Sequence, residues 1–141
     1  MVKSPIEFPR TSLNQSRSRY RADSLIQFLS NRTRDGYLTI GLTGKDISTA
    51  KDNHADWGIM GLGYCPGKSC IVSSFRLKGT NKPEKLFKVA IHELGHTQGL
   101  PHCPISTCFM QDDNGKDRIN EEKEFCTKCK AILIKAGWVL K

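Results

Sequence analysis

Residues 92–102 read HELGHTQGLPH, a set of side chains suited to holding a metal and moving a proton. His92 and His96 are four apart, so a helix places both imidazoles on one face, one turn apart. At that spacing two ring nitrogens can reach a single metal at about 2.0–2.1 Å each. Glu93 is rotated by about 100° from His92 and can meet a metal-bound water without displacing either histidine. Gly99 ends the helix and lets the chain reverse, so that His102 can return as a third ligand. Three neutral histidines leave a tetrahedral zinc one open position, as a catalytic site requires. Zinc brings the pKa of water toward ~7, with Glu93 as the base that takes its proton. A bare HExxH can be incidental on a helix, but Gly99 and His102 at these offsets make coincidence a poor account.

The chain holds six cysteines, Cys65, Cys70, Cys103, Cys108, Cys126 and Cys129. The last four follow His102 as C-x4-C and then C-x2-C. Four thiolates so spaced make a closed, tetrahedral structural zinc site, and it would clamp the irregular 100–120 stretch to the last helix. The competing reading is four buried free thiols. Two zinc ions are therefore expected, one catalytic and one structural. Cys65 and Cys70 flank Pro66-Gly67 and are read as reduced thiols rather than a cross-link. The first 30 residues hold no apolar segment of a secretory signal, which together with the cysteine usage points to a reducing, cytoplasmic setting.

The pattern HELGHTQGLPHCPISTCFM followed by CTKC resembles the archaemetzincins, a branch of the metzincin metallopeptidases. Residues 17–80 are also similar, in RYRADSLIQFL, the strand near Leu38 and the run GIMGLGY to IVSSFRL. The resemblance implies that His92, His96 and His102 bind the catalytic zinc, that Glu93 is general base and acid, and that Cys103, Cys108, Cys126 and Cys129 bind the second zinc. It implies that Met110 is the methionine of a Met-turn beneath the metal, a place where an ordinary core methionine would also sit. It further implies an α/β (α+β) fold, a small metzincin-like mixed twisted sheet with an active-site helix and a zinc-stapled helical C-terminal part. An antiparallel edge strand, placed at 57–64, would line the cleft and pair with an extended peptide. Family members carry an extra N-terminal strand and helix, whose absence here would leave a sheet edge exposed.

The elements that must position these groups are read from periodicity. The 141 residues suit a single metallopeptidase domain, 1–141, with 1–16 as an extended arm and 100–141 as a zinc-stapled subdomain. Residues 18–32 predict an amphipathic helix with Tyr20, Leu25, Phe28 and Leu29 inward, and 37–43 a strand. Residues 44–56 are polar and read as a loop with a solvated His54. The run 57–64 and the strand 70–75 predict a hairpin. Residues 83–98 predict a helix with Phe87, Ala90, Ile91 and Leu94 facing the core. A last helix is predicted over 122–136, with Phe125, Cys129, Ile132, Leu133 and Ala136 inward and Gly137 as its stop.

Residues 110–121 approach a calcium loop, with Asp112, Asn114, Gly115 and Glu121 in register, but Met110 stands where the first ligand belongs. No tyrosine follows Met110, so the metal and an edge-strand N–H are expected to steady an oxyanion, with Tyr64 a weak candidate. The net charge of +8 is dispersed, and residues 17–21 (RSRYR) read as the solvated face of a helix.

The reading is a monomeric zinc peptidase hydrolysing peptide bonds through a zinc-bound water activated by Glu93. Its substrate would be a peptide or protein, with no nucleic acid and no membrane partner. A zinc-stabilised binding module and an inactive pseudo-peptidase are the alternatives.

Overall fold

The computed structural model describes residues 1–112 and 117–141. Two mixed sheets and three helices make an α+β fold. The strands are β1 (Leu13–Asn14), β2 (Arg19–Arg21), β3 (Thr39–Thr43), β4 (Ile47–Lys51), β5 (His54–Ile59), β6 (Gly61–Gly63) and β7 (Ser69–Ser73). The helices are α1 (Ala22–Ser30), α2 (Lys82–Thr97) and α3 (Thr127–Lys135), with short 3-10 turns at Arg10–Ser12 and Ile119–Glu121. One sheet has the order β1-β2-β4-β5 and the other β3-β7-β6.

The central strand β7 explains the layering. All five of its residues are buried, so both faces are covered. On one face Ile71 joins Leu25, Ile26 and Leu29 of α1, and Ser69 Oγ donates to the Ile26 carbonyl. On the other face Val72 packs against Val89 of α2. Strand β3 runs parallel to β7 and β6 antiparallel, so β6 is an edge.

Several expectations shift. The helix expected over 18–32 begins at Ala22, because Arg19–Arg21 pairs in parallel with β4. Its inward set holds: Leu25 and Leu29 are buried, with Tyr20 and Phe28 against them. The polar stretch 44–56 is no loop. It carries β4 and the start of β5 around the turn at Asp52-Asn53, where Asp52 takes φ 51°. Its polarity reflects a hairpin with one solvated side. The strand placed at 57–64 is two, broken at Met60, and its halves belong to different sheets; only β6 forms the hairpin with β7. Within the expected N-terminal arm, residues 10–14 form a 3-10 turn and β1, and Phe8 meets the Tyr20 ring at 4.9 Å. Phe87 is exposed, and α2 instead buries Val89, Glu93 and the stems of Lys85 and Lys88. The last helix starts at Thr127 and leaves Ala136 exposed, with Gly137 at φ 96° as its stop.

The basic run at 17–21 is paired rather than simply solvated. Arg19 bridges Asp46 at 3.0 Å and Asp56 at 3.3 Å, and Arg21 and Arg17 approach Asp56 at 3.5 and 3.8 Å. The Ser48 hydroxyl also donates to Asp56. That bond first, and the arginines after it, hold the Asp56 carboxyl below its ordinary value against the opposing effect of burial. A depressed folded-state pKa contributes stability above the unfolded value, and this is lost as pH falls through the folded one. Ser48→Ala is therefore expected to be less stable than wild type at neutral pH. The gap should stay constant above about pH 5 and narrow as pH falls below about 4 in urea-unfolding series; a gap that does not narrow there would refute the assignment.

Candidate active site

Helix α2 carries the first two histidines and its C-terminus delivers the third. Pro83 and Glu84 occupy its first turn, where a missing N–H and a negative charge are both favourable. At the far end Gly99, at φ 89°, donates to the His96 carbonyl at 2.9 Å, and Leu100 donates to the Gly95 carbonyl at 3.0 Å. This pair of bonds is a Schellman cap, with buried Leu100 as its apolar plug. The reversal returns His102 to the helix face.

The ring nitrogens converge. His96 Nε2 lies 3.0 Å from His92 Nε2 and 3.2 Å from His102 Nε2. His92 Nδ1 donates to the Phe109 carbonyl and His96 Nδ1 to the Leu100 carbonyl, each at 2.8 Å. Both rings are thereby fixed with the lone pair on Nε2. Facing lone pairs at such distances repel unless a cation lies between them, and tetrahedral zinc ligands stand about 3.3 Å apart. Burial first, then the neighbouring imidazoles, lowers the pKa of His92 to about 4 and also lowers that of His96. Both stay neutral, the form that binds metal. His102 is the exposed member, with Nδ1 3.5 Å from Asp112 Oδ2.

Glu93 is buried at the same level, and desolvation raises its pKa to about 8 against the backbone N–H of Gly63. It fits there because β6 has no side chains facing it. A Cβ at Gly61 would come within 2.8 Å of Glu93 Cγ, and one at Gly63 within 2.6 Å of the Glu93 carbonyl oxygen. Met110 is fully buried beneath the helix, and a Cβ at Gly95 would lie 2.3 Å from its sulfur.

The second cluster follows at once. The Sγ atoms of Cys103, Cys108, Cys126 and Cys129 lie within 4.8 Å of one another, and Cys103 and Cys126 are 3.8 Å apart. Tetrahedral zinc–sulfur bonds of ~2.3 Å put sulfurs about 3.8 Å apart, so this donor set also fits the metal. Backbone N–H groups of Met110 and Cys126 point at Cys108 Sγ, which suits a thiolate. Opposing burial, the N–H of Cys129 and the neighbouring thiols bring the Cys126 pKa to about 7, whereas burial raises Cys108 and Cys129. Cys65 is exposed and near the Leu100 carbonyl, while burial and then Glu93 raise the buried Cys70 to about 12.

A cleft of about 660 Å³ runs past His92, Glu93 and His102, between β5 and the loop that follows Met110. Gly61 of the edge strand lines it. Tyr64 stands apart, its hydroxyl donating to Asp23 at 2.8 Å. The structure thus brings together each sequence-predicted histidine, glutamate and cysteine. The calcium-loop reading falls on Asn114 and Gly115, outside the described residues. Sequence reasoning missed Lys88, buried with Nζ on the Ile119 carbonyl at 3.1 Å and on Glu84 at 3.1 Å. It also missed Arg76, which lies along the cleft on Asp46. The Glu84–Lys88 pair is at i,i+4 spacing and is legible locally, whereas Ile119 and, for Arg76, Asp46 lie 31 and 30 residues away and leave no local signal.

The family model described as peptidase family M54 matches residues 6–135. An archaemetzincin of Haloquadratum walsbyi is 30% identical over 138 residues, covering 89% of this chain and 77% of that protein. One of Archaeoglobus fulgidus is 32% identical over 120 residues, covering 82% and 69%. The crystal structure of archaemetzincin from Methanopyrus kandleri aligns with a TM-score of 0.79 at 28% identity, covering 92% of this chain and 72% of that one. That from Archaeoglobus fulgidus, complexed with malonate, aligns at 0.71 and 27% identity, covering 88% and 75%.

The contact between Gly95 and Met110 can be tested by a double-mutant cycle. Gly95→Ala should gain helix propensity yet destabilise by roughly 1–3 kcal/mol, because the sulfur has nowhere to go. Met110→Ala should cost about 2–5 kcal/mol alone. In the double variant the alanine fills part of the void, so the two costs should fall short of additive by about 1 kcal/mol or more in denaturant unfolding. Strict additivity would refute the contact.

Proposed function

This chain belongs to peptidase family M54 and is a zinc metallopeptidase, a hydrolase; on that premise we propose that His92, His96 and His102 hold its catalytic zinc and that Glu93 moves the proton in peptide-bond hydrolysis. The convergence of three Nε2 atoms, two of them oriented by carbonyls on the far side of the ring, carries this reading. When bound, zinc supplies Lewis acidity toward water and the scissile carbonyl. Glu93, whose pKa burial raises, would be held toward its ionised form by a metal on the triad. Glu93 then takes a proton from the attacking water and returns it to the departing amine. The edge at Gly61, beside the cleft, offers backbone groups to an extended peptide.

Cys103, Cys108, Cys126 and Cys129 hold the second, structural zinc in this reading, and Met110 is the apolar floor beneath the histidines. The whole chain acts as one metallopeptidase domain, with 100–141 as its stapled part. The reading is of a cytoplasmic monomer that does not bind nucleic acid. Pairing of Arg17, Arg19 and Arg21 with acids supports the last point. No helix among the described residues is long and apolar enough to cross a membrane.

Two measurements test the assignment. Glu93→Gln is expected to keep both zinc ions and lose activity by at least ~10²-fold; undiminished turnover would overturn the role of Glu93. Elemental analysis should give two zinc per chain, one removed by mild chelation. His96→Ala should lose one, and Cys108→Ser the other. A single zinc lost in Cys108→Ser but retained in His96→Ala would overturn the catalytic assignment.

A further inference from the structure

The cleft is charged unevenly. Its lining from β4, β5 and the link between β7 and α2 carries three cations, Lys51, Arg76 and Lys78, and no acid. The acids of the lining, Glu93, Asp112 and Glu122, come from α2 and from the chain beyond His102. Arg76 is the anchor of the cationic side. Its Nε and Nη2 grip Asp46 at 2.8 and 3.0 Å, and Asp46 is itself buried and held by Arg19. The guanidinium lies directly over β5 at Gly58, where a Cβ would fall 2.1 Å from Cζ. Glycine at 58 is thus what lets a cation rest flat on the strand.

Arg76 is about one-third exposed, and its Nη1 makes no hydrogen bond among the described residues. A planar donor held still by a buried acid, with one edge free toward a cleft, is pre-organised for a carboxylate. Two further cations line the same cleft. Lys51 lies over the Trp57 ring at 5.5 Å, and Lys78 is exposed. Trp57 and Phe75, both exposed and both lining the cleft, give the subsite an apolar border.

We propose that Arg76, with Lys51 and Lys78, forms a subsite for a carboxylate of the peptide, so that the enzyme selects peptides that present a carboxylate there. This rests on the peptidase reading of the neighbouring triad. The carboxylate can come from an Asp or Glu side chain or from a peptide C-terminus, and both present the same two oxygens to the same donors. The Arg76–Asp46 pair leaves the anchor neutral overall, so selectivity comes from the free Nη1 and the two lysines rather than from bulk charge.

The test uses matched fluorogenic peptides with Glu, Gln or Lys at each position around the cleavage site, each made with a free and an amidated C-terminus. Binding of the same peptides to the zinc-loaded Glu93→Gln protein is followed by anisotropy. We expect Glu, or the free C-terminus, to be preferred over its neutral counterpart by about tenfold in kcat/KM and in affinity. The arm that shows the preference identifies the source of the carboxylate. Arg76→Gln should abolish the preference. The Lys51→Ala/Lys78→Ala double variant, which leaves the Asp46 network intact, should reduce it severalfold. Equal handling of charged and neutral peptides, preference for Lys, or a preference undiminished in both variants would overturn the subsite. If no peptide is cleaved, the peptidase reading fails, while the anisotropy series still decides the carboxylate subsite.

Discussion

The close approach of α2 to its neighbours is the constraint on which the rest of the molecule depends. An α-helix with ordinary side chains on both sides stands well away from an adjacent strand. Here the glycines at 61 and 63 let β6 press against Glu93 and its carbonyl, and Gly95 lets Met110 reach the helix from below. Glu93 therefore sits beside the strand rather than in solvent, and its burial and raised proton affinity follow from that packing. The helix cannot shift toward either neighbour without a collision, so the backbone from which His92 and His96 project is positioned by contacts that involve neither ring.

How much of this could be read in advance depended on how local the cause was. The pair His92 and His96, the stop at Gly99 and the four-cysteine spacing act through a few neighbouring residues, and helix geometry alone brings them together. Gly137 ending the last helix is of the same kind. The strands were less legible. Residues 44–56 look like a polar loop because one side of the hairpin they begin faces water, and the break at Met60 arises from the strand changing sheets. Arg19 looked like part of a solvated helix because its partners, Asp46 and Asp56, lie 27 and 37 residues away. Phe87 looked like core for a related reason. The helical stripe is decided by what α2 packs upon, and that is the glycine-rich β6 and Val72, which favour Val89 and Glu93 instead.

The ion-pair network does more than neutralise charge. Asp46 receives Arg19 from β2 and Arg76 from beyond β7, while Asp56 in β5 receives Arg19 again and the Ser48 hydroxyl of β4. One connected set of hydrogen bonds therefore joins the four-stranded sheet to the end of the three-stranded one, at the place where the chain crosses between them. Removing Asp46 would take from Arg19 and Arg76 the acid they share, a costlier change than losing a surface pair.

Both tethers on the histidine rings originate in the segment that also carries thiols. Phe109, whose carbonyl holds His92, is next to Cys108, and Leu100, whose carbonyl holds His96, is three residues from Cys103. His102 and Cys103 are adjacent. Ordering this segment at one cluster therefore prepays conformational entropy at the other. Any coupling carried by this segment between groups held at the two clusters would act equally in both directions. The histidine set and the cysteine set thus draw on one stretch of backbone, and a change that disorders residues 100–110 touches both.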